Sequence, residues 1–251
     1  MFARSADAAA AEINRALADP TIRAVVALRG GYGSMRLLPR LDCAQVERGQ
    51  ALLVGFSDVT ALHHAWVRAG VCSVHGTMAE ALVSLSAAQF HAWRQVLAGA
   101  VAEPQHGLVT VRAGHCVGRV LGGNLSLLAA LACTPWAMPI HGSVLFIEDV
   151  SESPYRVDRM LTSLQLAGWW DRVSAVIIGS FHDCQPADDG VTVERVLEEH
   201  FSSAAFPVLL GYPSGHFTHG DAGRALRFGD WAQVDGQHGT VWFSAGDGPP
   251  P

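Results

Sequence analysis

The chain has 251 residues, 49% of them apolar and only 16% charged, with a formal net charge of −6 and no lysine at all. So apolar a composition excludes long disordered tracts, and an acidic balance whose only strong cations are arginines excludes a basic nucleic-acid stripe or a polybasic membrane patch. The length allows one large domain or two modest ones.

The first residues, Met1 to Ser5, run into an alanine-rich helix predicted over 7–17, with no apolar signal-type segment before it. Residues 24–28 form a short continuous apolar strand of the kind buried in a parallel sheet. Gly30-Gly31-Tyr32-Gly33 is a loop, and Ser34 opens a helix toward Leu41. A second strand, 51–54, leads through Gly55-Phe56-Ser57-Asp58-Val59 into a helix at 60–68. A third strand, 71–74, ends at His75-Gly76, and helices follow at 78–83 and 87–97. This βα rhythm predicts a parallel, doubly wound sheet.

Residues 101–107, Val-Ala-Glu-Pro-Gln-His-Gly, read as a linker between an N-terminal domain (1–100) and a C-terminal one (108–251). Strand-like pieces are expected at 108–112 and 116–121, then a helix from Asn124. The apolar stretch from Leu125 is broken by Ser126, Thr134 and Pro135, too short to span a bilayer. A strand at 144–147, a helix at 155–166, a strand at 173–178, a helix at 191–201 and a strand at 207–210 follow. Short strands at 225–228, 232–234 and 240–243 precede a frayed Gly-Pro tail. Cys43, Cys72, Cys116, Cys133 and Cys184 are odd in number, scattered and without a CxxC pair, so they read as reduced core cysteines of a cytoplasmic protein. No Cys/His spacing suggests a metal site.

Three strand ends present reactive groups. Ser57 stands where a strand turns into a helix, whose first N–H groups and dipole favour developing negative charge; Ser57 or Asp58 could equally be an N-cap. Glu148-Asp149 follows an apolar strand, at the edge where open α/β sheets bind ligands. Gly211-Tyr212-Pro213-Ser214-Gly215-His216 can aim an imidazole into a cleft. Serine, histidine and carboxylate are the set that nucleophilic acyl transfer needs, in the chain order Ser…Glu/Asp…His. Spacing leaves Glu148 or Asp149, and His216, His75 or His219, open. The loop from Arg29 to Gly33 could cradle an anion or be a tight turn, and it lacks nucleotide-binding spacing. Gly122-Gly123-Asn124 reads as close packing plus an asparagine cap. Trp136, Trp169 and Trp170 read as core or interface residues.

Together the stretches RGGYGSMRLLPRLD (29–42), GFSDVTALH (55–63), VHGTM (74–78), GGNLSLL (122–128), LFIEDVSESPYRVDRML (145–161) and GYPSGH (211–216) resemble the LD-carboxypeptidase (muramoyltetrapeptide carboxypeptidase) family of serine peptidases. The resemblance implies a flavodoxin-like or amidotransferase-like parallel-sheet domain carrying the nucleophile, and a β-rich α/β C-terminal domain carrying the other two groups. It implies Ser57 as nucleophile, Glu148 as carboxylate, His216 as general base, and the backbone N–H groups of Gly30, Gly31 and Asp58 as oxyanion donors. Arg29 is a positional candidate for holding a substrate carboxylate. The implied reaction is cofactor-free and metal-independent hydrolysis of the L,D-amide bond before the terminal D-alanine of murein tetrapeptides, by a cytoplasmic homodimer. Microcin C immunity peptidases, which cleave peptidyl-nucleotides, share the family's fold, and an inactive peptide-binding homologue is the non-enzymatic alternative. Family members usually carry roughly fifty further N-terminal residues, including a strand, so reduced stability or activity relative to an extended form is expected.

Overall fold

The computed structural model describes residues 5–217, 223–244 and 248; His219 and most of the Gly-Pro tail lie outside them. Helix α1 (Ala6–Ala18) starts at Ser5, whose hydroxyl accepts from Ala8 N–H, and its Leu17 is buried. Strand β1 (Ala24–Val26) follows. The helix expected from Ser34 is instead two 3-10 turns, Ser34–Arg36 and Leu38–Arg40, with Pro39 at the start of the second. Proline lacks the N–H needed to extend the first turn into an α-helix. Helix α2 (Cys43–Gly49), absent from the sequence reading, is capped by Asp42, whose side chain accepts from Gln45 N–H.

Strand β2 (Leu52–Gly55) runs into a 3-10 turn at Ser57–Val59 and helix α3 (Thr60–Arg68). Strand β3 (Ser73–His75) precedes a 3-10 segment at Ala79–Ser84 and helix α4 (Ala87–Leu97). No residue of α4 is fully buried, so its Ser86/Gln89 capping box carries unusual weight, about 1 kcal/mol for such a cap. Strands β1, β2 and β3 pair in parallel and in sequence order. Leu17, Val46, Leu53, Leu62 and Trp66 from α1, α2, β2 and α3 share one core.

The second half begins with β4 (Val109–Arg112), β5 (His115–Asn124) and α5 (Leu125–Leu131). Strand β6 (Val144–Val150), α6 (Pro154–Leu166), β7 (Ala175–His182), α7 (Val193–Phe201) and β8 (Val208–Leu210) follow. Strands β9 (Leu226–Phe228), β10 (Trp231–Asp235) and β11 (Thr240–Ser244) complete the described chain. The second sheet has the order β11-β10-β5-β6-β7-β8-β4, its four central strands parallel and its margins antiparallel. Helices α5, α6 and α7 bury Leu128, Leu161, Leu164, Leu197 and Phe201 in one core against it. Val193, Leu197 and Phe201 recur every fourth residue, so a single stripe of α7 faces that core.

Strand β9 crosses between the halves. It pairs antiparallel with β3, as the fourth strand of the first sheet, while Leu226 and Phe228 pack with Phe146 and Tyr212 in the core of the second. The fold is thus an α/β structure of two sheets, with the first sheet's last strand supplied from near the end of the chain. All five cysteines are free thiols, but none is a core residue: Cys133 is exposed and the other four are half-buried. Of the tryptophans singled out above, Trp169 is core and Trp136 and Trp170 are half-buried. No helix among the described residues is long and apolar enough to cross a membrane.

Candidate active site

Ser57 sits at φ +61°, a left-handed conformation that a non-glycine residue adopts at a cost of about 1–3 kcal/mol. Neither Ser57 nor Asp58 caps a helix N-terminus, which removes the bland reading of this turn. The Asp58 carboxylate instead accepts from Ser34 N–H at 2.9 Å, tying the glycine loop to the serine turn. Gly30 lies close enough that a Cβ there would stand 3.3 Å from Ser57 Cβ. His63 anchors the strand end from below. Its Nε2–H donates to the Gly55 carbonyl at 3.0 Å, and its Nδ1 accepts from Ser73 Oγ at 2.8 Å.

The carboxylate pair does not follow β6 but lies inside it. Strand β7 keeps pairing as far as Val150↔His182, across an irregularity between Ile147 and Asp149, so the strand outlasts its apolar run. Alternation along the strand then sends neighbouring carboxylates to opposite faces. Glu148 is fully buried, and its Oε2 accepts from His216 Nδ1–H at 2.6 Å. Asp149 faces α5, accepting from Ser126 N–H at 2.9 Å and from the Asn124 amide at 2.8 Å. Asp149, not Asn124, therefore serves the start of α5. Burial pushes the Asp149 carboxyl up to about 6 against the hydrogen bonds it accepts.

His216 is brought to Glu148 by the loop after β8. Gly211 and Tyr212 N–H groups both donate to Ile178 O, and Ser180 N–H donates to Ser214 O. Gly215, at φ +115°, lies so close over Glu148 that a Cβ would come within 2.9 Å of its Oε2. Phe56, the residue before Ser57, sets its ring 4.8 Å from that of His216 and 5.6 Å from that of His75. Nδ1 of His216 is engaged by a carboxylate, which leaves Nε2 as the nitrogen able to take a proton.

Ser57 and Asp58 line a cavity of about 570 Å³, together with Gly31, Arg36, Asn124, Asp149 and Glu152. Arg29 is exposed and does not line it; among the described residues the cation that does is Arg36, seven residues on, which no spacing rule singles out. Glu152 was missed likewise. Among the described residues, no three His, Cys, Asp or Glu side chains gather as a metal-ligand set.

The two halves of the cleft meet at Thr60, whose hydroxyl accepts from Asn124 N–H at 3.0 Å. Gly123, at φ +137°, leaves room for it, since a Cβ there would fall 2.5 Å from Thr60 Oγ1. Gly123→Ala is expected to destabilise the protein by about 1–3 kcal/mol through this overlap and the strained φ. Denaturant unfolding measures it, and a loss below about 0.5 kcal/mol would show that Thr60 yields freely.

Residues 1–76 match the family model of the LD-carboxypeptidase N-terminal domain, and residues 117–234 match that of its C-terminal domain. The chain belongs to the LD-carboxypeptidase family. Within it, the chain is 33% identical over 237 residues to the murein tetrapeptide carboxypeptidase of Pseudomonas aeruginosa, covering 90% of this chain and 76% of that protein. The crystal structure of muramoyltetrapeptide carboxypeptidase from Oxalobacter formigenes superposes with a TM-score of 0.88 at 31% identity, over 99% of this chain and 86% of the other. The microcin C7 self-immunity protein MccF of Escherichia coli is 26% identical over 245 residues, 84% of this chain and 71% of MccF. MccF in complex with aspartyl sulfamoyl adenosine superposes at a TM-score of 0.84 and 22% identity, over 98% of this chain and 83% of that one, which speaks to the shared fold alone. Like the murein enzymes, this LD-carboxypeptidase family member is a hydrolase of the carboxypeptidase type.

Proposed function

We propose that the protein is a serine LD-carboxypeptidase that releases terminal D-alanine from murein tetrapeptides. The observation that carries this reading is the buried Glu148–His216 pair, joined at 2.6 Å, with the ring of Phe56, the residue before the strained Ser57, set 4.8 Å from the same imidazole. Glu148 fixes the ring with its proton on Nδ1 and stabilises the imidazolium that forms. His216 Nε2 takes the proton of Ser57 Oγ as that oxygen attacks the carbonyl carbon of the L,D-amide. The N–H groups of Asp58 and of the Gly30-Gly31 turn hold the resulting oxyanion. His216 then returns the proton to the nitrogen of the leaving D-alanine, and a water molecule, deprotonated by the same ring, frees the acyl group from Ser57.

The C-terminal carboxylate of the substrate needs a cation, and Arg36 on the cavity wall is better placed for it than Arg29. The opposite wall carries Asp149 and Glu152, which suits the ammonium group of a diamino acid. A peptidyl-nucleotide substrate is the second reading, favoured by the likeness to MccF. Incubation with murein tetrapeptide and, separately, with a peptidyl adenylate decides between them. Release of D-alanine at least about tenfold faster, in kcat/KM, than cleavage of the adenylate is expected, and the reverse preference overturns the murein assignment.

A further inference from the structure

The mechanism leaves three buried histidines unused, His63, His64 and His75, and one of them faces the catalytic carboxylate. His75, the last residue of β3, is 1% exposed, and neither of its ring nitrogens has a hydrogen-bond partner among the described residues. Its Nε2 points at Glu148 Oε1 across 4.0 Å, and that oxygen is likewise buried and unpartnered. The other oxygen of the same carboxylate holds His216. A buried donor and a buried carboxylate oxygen that face each other are each costly to leave unmade, and hydrogen bonds in catalytic sites tighten when substrate binds.

The setting of the ring admits one role. Phe56 stacks on it at 5.6 Å and 28°, His63 lies parallel at 6.4 Å, and Phe146 and Phe228 meet it edge-on at 5.1 and 5.7 Å. Aromatic neighbours on these sides exclude water and fix the plane of the imidazole. Burial, with His63 and His216 adding to it, holds His75 well below the ordinary histidine value, so the ring is neutral and carries a single N–H. A neutral ring donates to a carboxylate without bringing a second positive charge to compete with His216.

We propose that His75 is a positioning residue for the catalytic carboxylate: its Nε2–H donates to Glu148 Oε1 in the working enzyme and fixes the carboxylate plane that aims Oε2 at His216. The inference rests on the reading of Ser57, His216 and Glu148 given above. In this role His75 acts through Glu148 and not on the reacting atoms. Its position one residue beyond β3 Val74 makes the first sheet a support for a carboxylate that belongs to the second.

The test compares His75→Phe, which keeps the shape of the ring and removes the donor, with His75→Gln, whose amide nitrogen reaches the place of Nε2. With murein tetrapeptide, His75→Phe is expected to lower kcat about 10–100-fold with KM changed less than about threefold, and His75→Gln to recover most of the loss. Loss of the donor leaves the Glu148 carboxylate to interact more strongly with the imidazolium that forms, so the acidic limb of kcat/KM moves to higher pH in His75→Phe only. Equal impairment of two folded variants, or a His75→Phe enzyme within about twofold of wild type, overturns the proposal. Nitrogen-15 spectra of the unaltered protein provide a reading that no folding defect can obscure. His75 protonated on Nε2 supports the proposal, and protonation on Nδ1 overturns it. Ser57→Ala separates the two levels of argument. If it retains turnover, the site itself has been misread; if it is dead while His75→Phe is unimpaired, only the role of His75 falls.

Discussion

Ser57→Ala is expected to lower kcat on murein tetrapeptide by roughly 10⁴-fold or more while leaving the affinity for the peptide within about threefold. Removing Oγ leaves no atom on which the acyl group can rest, and neither the oxyanion donors nor the cavity can supply one. They can still bind peptide, so binding and turnover part company in this variant. Relief of the φ +61° strain is not expected, because alanine is no better suited to that region than serine. Calorimetric titration of the variant with tetrapeptide, beside a D-alanine release assay, measures both quantities. Turnover above about a tenth of wild type sinks the serine mechanism, and loss of both binding and turnover in a folded variant sinks the assignment of the cavity as the peptide site. An inactive binding homologue would show equal, negligible release from wild type and variant.

Acidification from about pH 7.5 to about pH 4.5 is expected to remove on the order of 4 kcal/mol of stability, a large share of the 5–15 kcal/mol typical of a folded domain. Burial holds His63 and His64 down to about 4, and His75 well below its ordinary value. In the unfolded chain the same rings take a proton near 6.5. Between those values the unfolded state binds more protons, so this stability is complete above pH 6.5 and declines as pH falls, by about 1.4 kcal/mol per unit for each ring. Two buried carboxyls oppose the trend. Burial raises Asp149 and Asp230 to about 6, so their native forms are protonated first, and stability rises as pH falls from 6 toward 3.8. Three histidines against two carboxyls, with the carboxyls acting only below pH 6, leave the net loss stated. Urea unfolding at about pH 7.5, 6 and 4.5 measures it; a stability constant within about 1 kcal/mol across the series would mean these rings are not neutral in the fold.

Much of the fold could be read from the chain because apolar runs and helix signals coincide there. Strand 144–147 is Val-Leu-Phe-Ile, and α4 lies where Ser86 and Gln89 announce its start. Reading failed where tertiary contacts decide. Glu148 and Asp149 look like a strand end because polarity rises at 148, yet pairing with β7 carries the strand to Val150. Asp58 looked like a cap on its own helix, and its carboxylate instead caps the turn at Ser34 across 24 residues. Position beside the glycine loop makes Arg29 a candidate for the substrate carboxylate, but the 3-10 turn at Ser34–Arg36 places Arg36, and not Arg29, on the cavity wall. His75 was weighed only as a rival to His216. A burial pocket built from Phe56, Phe146 and Phe228 has no local signature, since those rings come from three distant parts of the chain.

The crossing of β9 into the first sheet has a consequence for how the protein is made. During synthesis the free edge of β3 waits until residues 226–228 have appeared, about 150 residues after β3 itself. His216 precedes that strand by only ten residues, so the edge is closed and the proposed general base delivered together. Incomplete chains therefore expose an open strand edge and contain a serine with no base beside it. The order of translation keeps the proposed nucleophile without its base until that strand has been made.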